Sequence, residues 1–145
     1  MTYYVIAKNS EDATWHMTLL PAFDISESKL NNFAGVTRDL LIGTGPIQVR
    51  GVTEADFTGA LGELVPALKI ERTKTLQEVH EILIEILMGL HGKFRNPEFT
   101  GSGYSPHVTG ATLDSEIPEF DTVAITKQDL EGFAEVSSIS LKPLT

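Results

Sequence analysis

At 145 residues and 15.8 kDa, the chain has room for one compact domain, and residues 1–145 read as a single unit of two lobes. A composition of 41% hydrophobic and 21% charged residues, with mean hydropathy +0.00, excludes wholesale disorder because enough apolar surface exists to offset chain entropy. A net charge of −9 disfavours long nucleic acid, and the absence of cysteine excludes disulfides, thiol nucleophiles and thiolate metal sites.

The N-terminal run Tyr3-Tyr4-Val5-Ile6-Ala7 is aromatic and β-branched, which predicts a strand. After the polar break Asn9 to Asp12, Thr14 to Leu20 predicts a second strand, stopped by Pro21. Asp24 or Ser26 can cap a helix in which Leu30, Phe33, Thr37, Leu40 and Leu41 recur at helical spacing, with Gly43 at its stop. Pro46 to Arg50 alternates with period two and begins another strand. An irregular, Gly-containing region follows, and then a strand over Leu64 to Ile70. Thr75-Leu76-Gln77-Glu78 matches a capping box for a helix whose apolar face runs Leu76, Val79, Leu83, Ile86, Leu87 and Leu90, with Gly92 at its end. Gly101-Ser102-Gly103 marks a loop, and a strand runs from about His107 to Leu113. Two more strands fall near Phe120 to Ile125 and Val136 to Leu141, separated by a polar Lys-Gln-Asp turn. Strands in consecutive groups favour antiparallel pairing, so the fold class is α+β rather than a doubly wound sheet.

Four histidines are present, His16, His80, His91 and His107, and two of them head the same tripeptide. These are His16-Met17-Thr18 and His107-Val108-Thr109, each on a predicted strand. Side chains alternate between faces along a strand, so His16 shares a face with Thr18 and His107 with Thr109. Trp15, Met17 and Leu19 take the opposite face of the first strand, as Val108 does in the second. Each strand therefore buries apolar groups on one side and presents an imidazole and a hydroxyl on the other.

Chemistry gives a reason for two such units. An imidazole titrates near pH 6.5, so one copy can be neutral and accept a proton while the other is charged and donates one. In-line cleavage of a phosphodiester needs such a pair. A Thr hydroxyl two residues on can donate a hydrogen bond to a phosphoryl oxygen as charge builds there. No metal is required in this scheme.

The two His-x-Thr strands, in a chain of this size, resemble the 2H phosphoesterase superfamily, which includes 2′-5′ RNA ligase-like proteins and cyclic phosphodiesterases. The Pro106-His107-Val108-Thr109 context is similar to the family's second motif, and the element order is similar over nearly the whole chain. The resemblance implies a bilobal α+β fold, with two antiparallel sheets flanking a central cleft and helices on the outside. It implies hydrolysis or transesterification without metal or other cofactor, with His16, Thr18, His107 and Thr109 catalytic. Its substrates would be 2′,3′-cyclic phosphates, 2′-5′ linkages or cyclic nucleotides. Gly110 stands where a hydrophobic residue usually follows the motif, and Gly110-Ala111-Thr112-Leu113 lacks the basic residue that some relatives carry there. Some phage members cleave cyclic oligonucleotide immune signals, and a small acidic protein suits that substrate better than long RNA.

Tyr104, three residues before His107, is a candidate to stack on a base, and one of Tyr3 and Tyr4 should face the cleft, with Tyr4 taken as substrate-binding. Lys93 and Arg95 are the basic pair near the second motif in sequence and are the candidate phosphate contacts. His80 reads as a packed helix histidine, His91 as a cation complementing a helix C-terminus, and Trp15 as core. The run Asp114, Glu116, Glu119, Asp121 reads as a solvated surface. The partner expected is a small nucleotide or cyclic oligonucleotide, with no membrane. No signal peptide is visible in MTYYVIAKNSED, so a cytoplasmic location is expected. Two other functions compete: sequestration of a nucleotide without cleavage, and processing of RNA ends. Metal hydrolysis through His16 and His107 ranks below them, because no short metal-binding spacing accompanies either residue.

Overall fold

The computed structural model describes residues 2–58, 62–129 and 132–143. Strands β1 (Thr2–Lys8), β2 (His16–Asp24), β5 (Lys93–Phe94), β7 (Thr122–Asp129) and β8 (Gly132–Ser140) form an antiparallel sheet in the order β5-β2-β1-β7-β8. Strands β3 (Gly51–Thr58), β4 (Leu64–Ile70) and β6 (His107–Thr109) form a second antiparallel sheet in the order β3-β4-β6. Helices α1 (Glu27–Leu41) and α2 (Lys74–Gly89) pack on each other, α1 against β8 and α2 against β2. The class is α+β, as the element order predicts, and the two antiparallel sheets are those the family resemblance implies.

Alternation along β1 shows how the larger sheet is built. Tyr3, Val5 and Ala7 are buried, while Tyr4, Ile6 and Lys8 take the opposite, half-buried face. Their cross-strand partners follow suit, with Phe23 and Met17 on β2 and Val123 and Ile125 on β7 completing the apolar face. The helices cover that face. Phe33 of α1 lies against Phe23 with ring centroids 5.3 Å apart, and Leu76, Leu83 and Leu87 supply the buried stripe of α2. Each such large apolar side chain contributes about 1.5–3 kcal/mol on burial, which makes this layer the principal source of stability.

Several predicted boundaries shift, each for an identifiable reason. Pro21 does not stop β2, which runs on to Asp24, because register shifts between Tyr3 and Ile6 give β2 extra residues where a missing N–H is tolerated. The segment 46–50 contributes one isolated bridge, Ile47 with Phe120, and the strand lies instead at β3, in the region read as irregular. Thr73, not Thr75, caps α2, its hydroxyl accepting the Leu76 N–H at 3.2 Å. Strand β6 ends at Thr109 because Gly110 adopts φ 78° and turns the chain away. Lys127, Gln128 and Asp129, predicted as a polar turn, are instead the end of β7. Leu40, predicted for the buried face of α1, is 52% exposed.

Asp121 also departs from the solvated reading. It is buried, accepts the Ser10 N–H at 2.8 Å and the Ser10 and Thr122 hydroxyls, and pairs with Lys142 at 3.5 Å. Burial alone would raise its carboxyl, but these donors and the Lys142 charge hold it below the usual range.

At the end of α2 the left-handed residue is His91, at φ 60°, and not Gly92. The N–H groups of His91 and Gly92 close the helix onto the carbonyls of Met88 and Leu87 at 3.1 and 3.0 Å. Gly92 is required for another reason, since a Cβ there would meet Leu87 Cδ1 at 2.3 Å. Opposite outcomes are therefore expected at neighbouring positions in urea unfolding. His91→Gly raises stability by about 0.5–1 kcal/mol by relieving the left-handed strain, whereas Gly92→Ala lowers it by about 1–3 kcal/mol.

Candidate active site

The first His-x-Thr unit opens β2. His16 pairs across from Lys8 and Thr18 from Ile6, so all four share the face turned away from the helices. The next register step departs from regular pairing: Ile6 lies opposite Thr18 and Val5 opposite Leu20, which leaves Leu19 as a bulged residue. An unbulged strand would point Leu19 and Leu20 to opposite faces; here both are fully buried. Bulging also takes main-chain groups out of the regular ladder, and two side chains capture the carbonyls at this point.

The first is His80. Fully buried on α2, its Nδ1 donates to the Leu19 carbonyl at 2.7 Å while its Nε2 accepts the Gly101 N–H at 3.0 Å. The Gly101 contact fixes the tautomer, because Nε2 can accept only if the proton sits on Nδ1. Tyr104 is the second. Its ring stacks on His80 at a 4.0 Å centroid separation and 8° tilt, and its hydroxyl donates to the Thr18 carbonyl at 2.8 Å. Desolvation lowers the His80 pKa and raises that of Tyr104, so both are neutral and hold their hydrogen bonds at pH 7. Tyr104 thus leads directly from the floor of β2 to the second motif three residues later.

That motif is β6, where His107 pairs across from Lys69 and Thr109 from Ala67. Strands β2 and β6 lie in contact without joining one sheet, which brings the two units together. His107 donates Nδ1–H to the Ser105 carbonyl at 3.0 Å, leaving Nε2 to exchange a proton. Phe57 lies flat on its ring, with centroids 3.9 Å apart at 12°. Trp15 reaches the far end of the motif, its Cζ3 lying 3.9 Å from where a Cβ on Gly110 would stand.

The two imidazoles feel each other. His16 is exposed by area, yet the surrounding protein displaces enough water to lower its pKa, and the charge of His107 lowers it further. The hydroxyls of Thr18 and Thr109 have no partner among the described residues, so both are available as donors. One neutral imidazole, one nearby imidazole with an anchored tautomer and two free hydroxyls can together move two protons and hold an anionic oxygen. Two surface cavities flank the second sheet, one near Lys69 and Pro106 and one near Glu54 and Gly110; neither is lined by His16 or His107.

His16 and Thr18 share one face of β2, as the alternation predicts, and His107 and Thr109 lie on β6, which contacts β2; Tyr4 rather than Tyr3 turns toward the His16 face. Burial pushes the Tyr4 phenol up to about 12, so it is neutral. Tyr104 does not stand at a cleft mouth: it is 5% exposed, and its hydroxyl and one face are already engaged. Lys93 and Arg95 are also displaced. Both sit at the Asp24 end of β2, where Lys93 pairs across from Asp24 and Arg95 bridges its carboxylate at 3.2 Å. Eight residues of strand, about 26 Å, separate that end from His16. Phe57 and Lys69 escape the sequence reading, although the period-two run Thr53, Ala55, Phe57 carried the signal for a strand with an aromatic on one face.

The fold is that of the 2H phosphoesterases. A structure of TT0787 from Thermus thermophilus matches with TM-score 0.64 at 16% identity over 100% of both chains. E. coli LigT complexed with 3′-AMP matches with TM-score 0.57 at 9% identity, covering 97% of both chains. A structure described as a phosphoesterase gives TM-score 0.52 at 11% identity, again over 97% of each chain. No family model matches the sequence, and no curated protein does.

The clamp that His80 and Tyr104 form on the Leu19 and Thr18 carbonyls has a pH signature. The folded pKa of His80 lies below its ordinary 6.5, so its contribution to stability is complete above 6.5 and is lost as pH falls toward the folded value. His16 acts in the same direction, whereas Asp12, Asp24 and Asp121, with pKa values below 3.8, act only in stronger acid. Urea unfolding from pH 7.5 to 5.5 is expected to show wild-type stability falling with pH. His80→Gln should be less stable at pH 7.5 and show a shallower slope, and a slope equal to wild type would exclude the clamp as its source.

Proposed function

We propose that the protein is a 2H-type phosphodiesterase that cleaves a cyclic phosphate or a small cyclic oligonucleotide by two-histidine acid–base catalysis without metal. The observation that carries this reading is the meeting of β2 and β6, which sets two imidazoles within electrostatic reach, each with a free Thr hydroxyl two residues on. His16, whose protonation is disfavoured, takes the proton from the attacking water or ribose hydroxyl as its oxygen bonds to phosphorus. His107 delivers a proton from Nε2 to the leaving oxygen as the other P–O bond breaks. Thr18 and Thr109 donate to the non-bridging oxygens, where negative charge grows. The 2H phosphoesterase fold supports phosphoester chemistry, and LigT, crystallised with 3′-AMP, supports a small nucleotide as ligand. A small cyclic nucleotide, such as an immune signal, suits a chain of net charge −9 better than long RNA does.

The test is turnover of 2′,3′-cyclic nucleotides and cyclic di- and trinucleotides in the presence of EDTA. A bell-shaped pH–rate profile is expected, with His16→Ala and His107→Ala each reducing kcat by about 10²–10⁴-fold. Full dependence on an added divalent metal would overturn the mechanism, and near-wild-type turnover in either variant would overturn the assignment. Recovery of intact ligand after prolonged incubation would instead support sequestration, the reading that the missing basic residue after Thr109 favours.

A further inference from the structure

Eleven Lys and Arg side chains serve this acidic chain, and several are spent on local carboxylates: Lys8 on Glu135, Lys74 on Glu78, Arg95 on Asp24 and Lys142 on Asp121. Lys69 is different. It lies directly across from His107 on the same face of the second sheet, is exposed, and its ammonium has no partner among the described residues. Directly paired residues in an antiparallel ladder have Cα atoms about 4.5–5.5 Å apart, so Lys69 is the cation placed closest to His107 by the pairing.

Lys69 also forms one wall of a cavity of ≈450 Å³. Arg72 forms another, with its Nη1 donating to the carbonyls of Ser102 and Tyr104 at 2.8 and 3.0 Å, so the guanidinium is held in place with its remaining donors unspent. Ser105, whose carbonyl orients His107, and Pro106 close the side toward the catalytic strand. Glu71 is the one acid in the lining. Two cations against one carboxylate, in a chain of −9, make a local reversal of charge within a step of His107.

We propose that the cavity between Lys69 and Arg72 is a second phosphate subsite, so that the preferred substrate carries another phosphate beside the scissile one. This rests on the phosphodiesterase reading for its substrate class and selects cyclic di- or trinucleotides over 2′,3′-cyclic mononucleotides. Arg72 supplies fixed planar donors and Lys69 a mobile point charge, the two complementary ways of holding a phosphate.

Binding of two uncleaved probes, adenosine 3′-monophosphate and adenosine 3′,5′-bisphosphate, tests the subsite without requiring turnover. The bisphosphate is expected to bind at least tenfold more tightly to the wild type, with the advantage shrinking as salt rises. Lys69→Gln should remove most of that advantage while leaving monophosphate affinity within about twofold, and Lys69→Arg should retain it. Equal affinity for the two probes in the wild type, no detectable binding of either, or an advantage that survives in Lys69→Gln would each overturn the subsite. Because no cleavage is measured, an inactive protein that still prefers the bisphosphate would count against the catalytic reading and not against the subsite.

Discussion

The carbonyls of Thr18 and Leu19 are where the two halves of the molecule meet, and the bulge in β2 is what makes them available. One extra residue lets Leu19 and Leu20 both enter the core while Thr18 and His16 keep the opposite face. Released from the ladder, the two carbonyls need donors, because an unpaired buried carbonyl costs about 1–3 kcal/mol. His80 and Tyr104 supply them, and each leads elsewhere: His80 to Gly101, and Tyr104 down the chain to His107. The position of the second imidazole relative to the first therefore follows from a hydrogen-bonded stack behind the site.

Local pattern revealed what depends on local pattern. The period-two faces of His16-Met17-Thr18 and His107-Val108-Thr109 were legible because the alternation is a property of any strand. The identity of their neighbours was not. Tyr104 lies close to His107 in sequence and invites a role in the cleft, yet a bulge 86 residues away captures its hydroxyl. Lys93 and Arg95 are near the second motif along the chain, but β5 carries them to the wrong end of β2. Lys69, which pairs with His107, lies 38 positions before it and becomes visible only through strand register. Pro21 shows the same limit, since whether a proline stops a strand depends on whether its own strand bulges there.

Net charge takes on a more specific meaning in this structure. A charge of −9 disfavours a polymer along the surface, and ion pairing neutralises several of the cations that could have offset it. Among the described residues, what remains near the imidazoles is a small group of unpartnered donors: the Thr18 and Thr109 hydroxyls and Lys69. Such an arrangement attracts an anion at one place and repels it elsewhere. The stacking of Phe57 on His107 adds an apolar wall that limits how water reaches the ring.

Proton NMR titration of the two imidazoles tests most directly whether His16 and His107 form one coupled acid–base pair. His16 is expected to titrate below 6.5 in the wild type, and its pKa to rise in His107→Ala because the neighbouring charge is gone. A His16 titration unchanged by the loss of His107 would show that the rings act independently, and would contradict the pair.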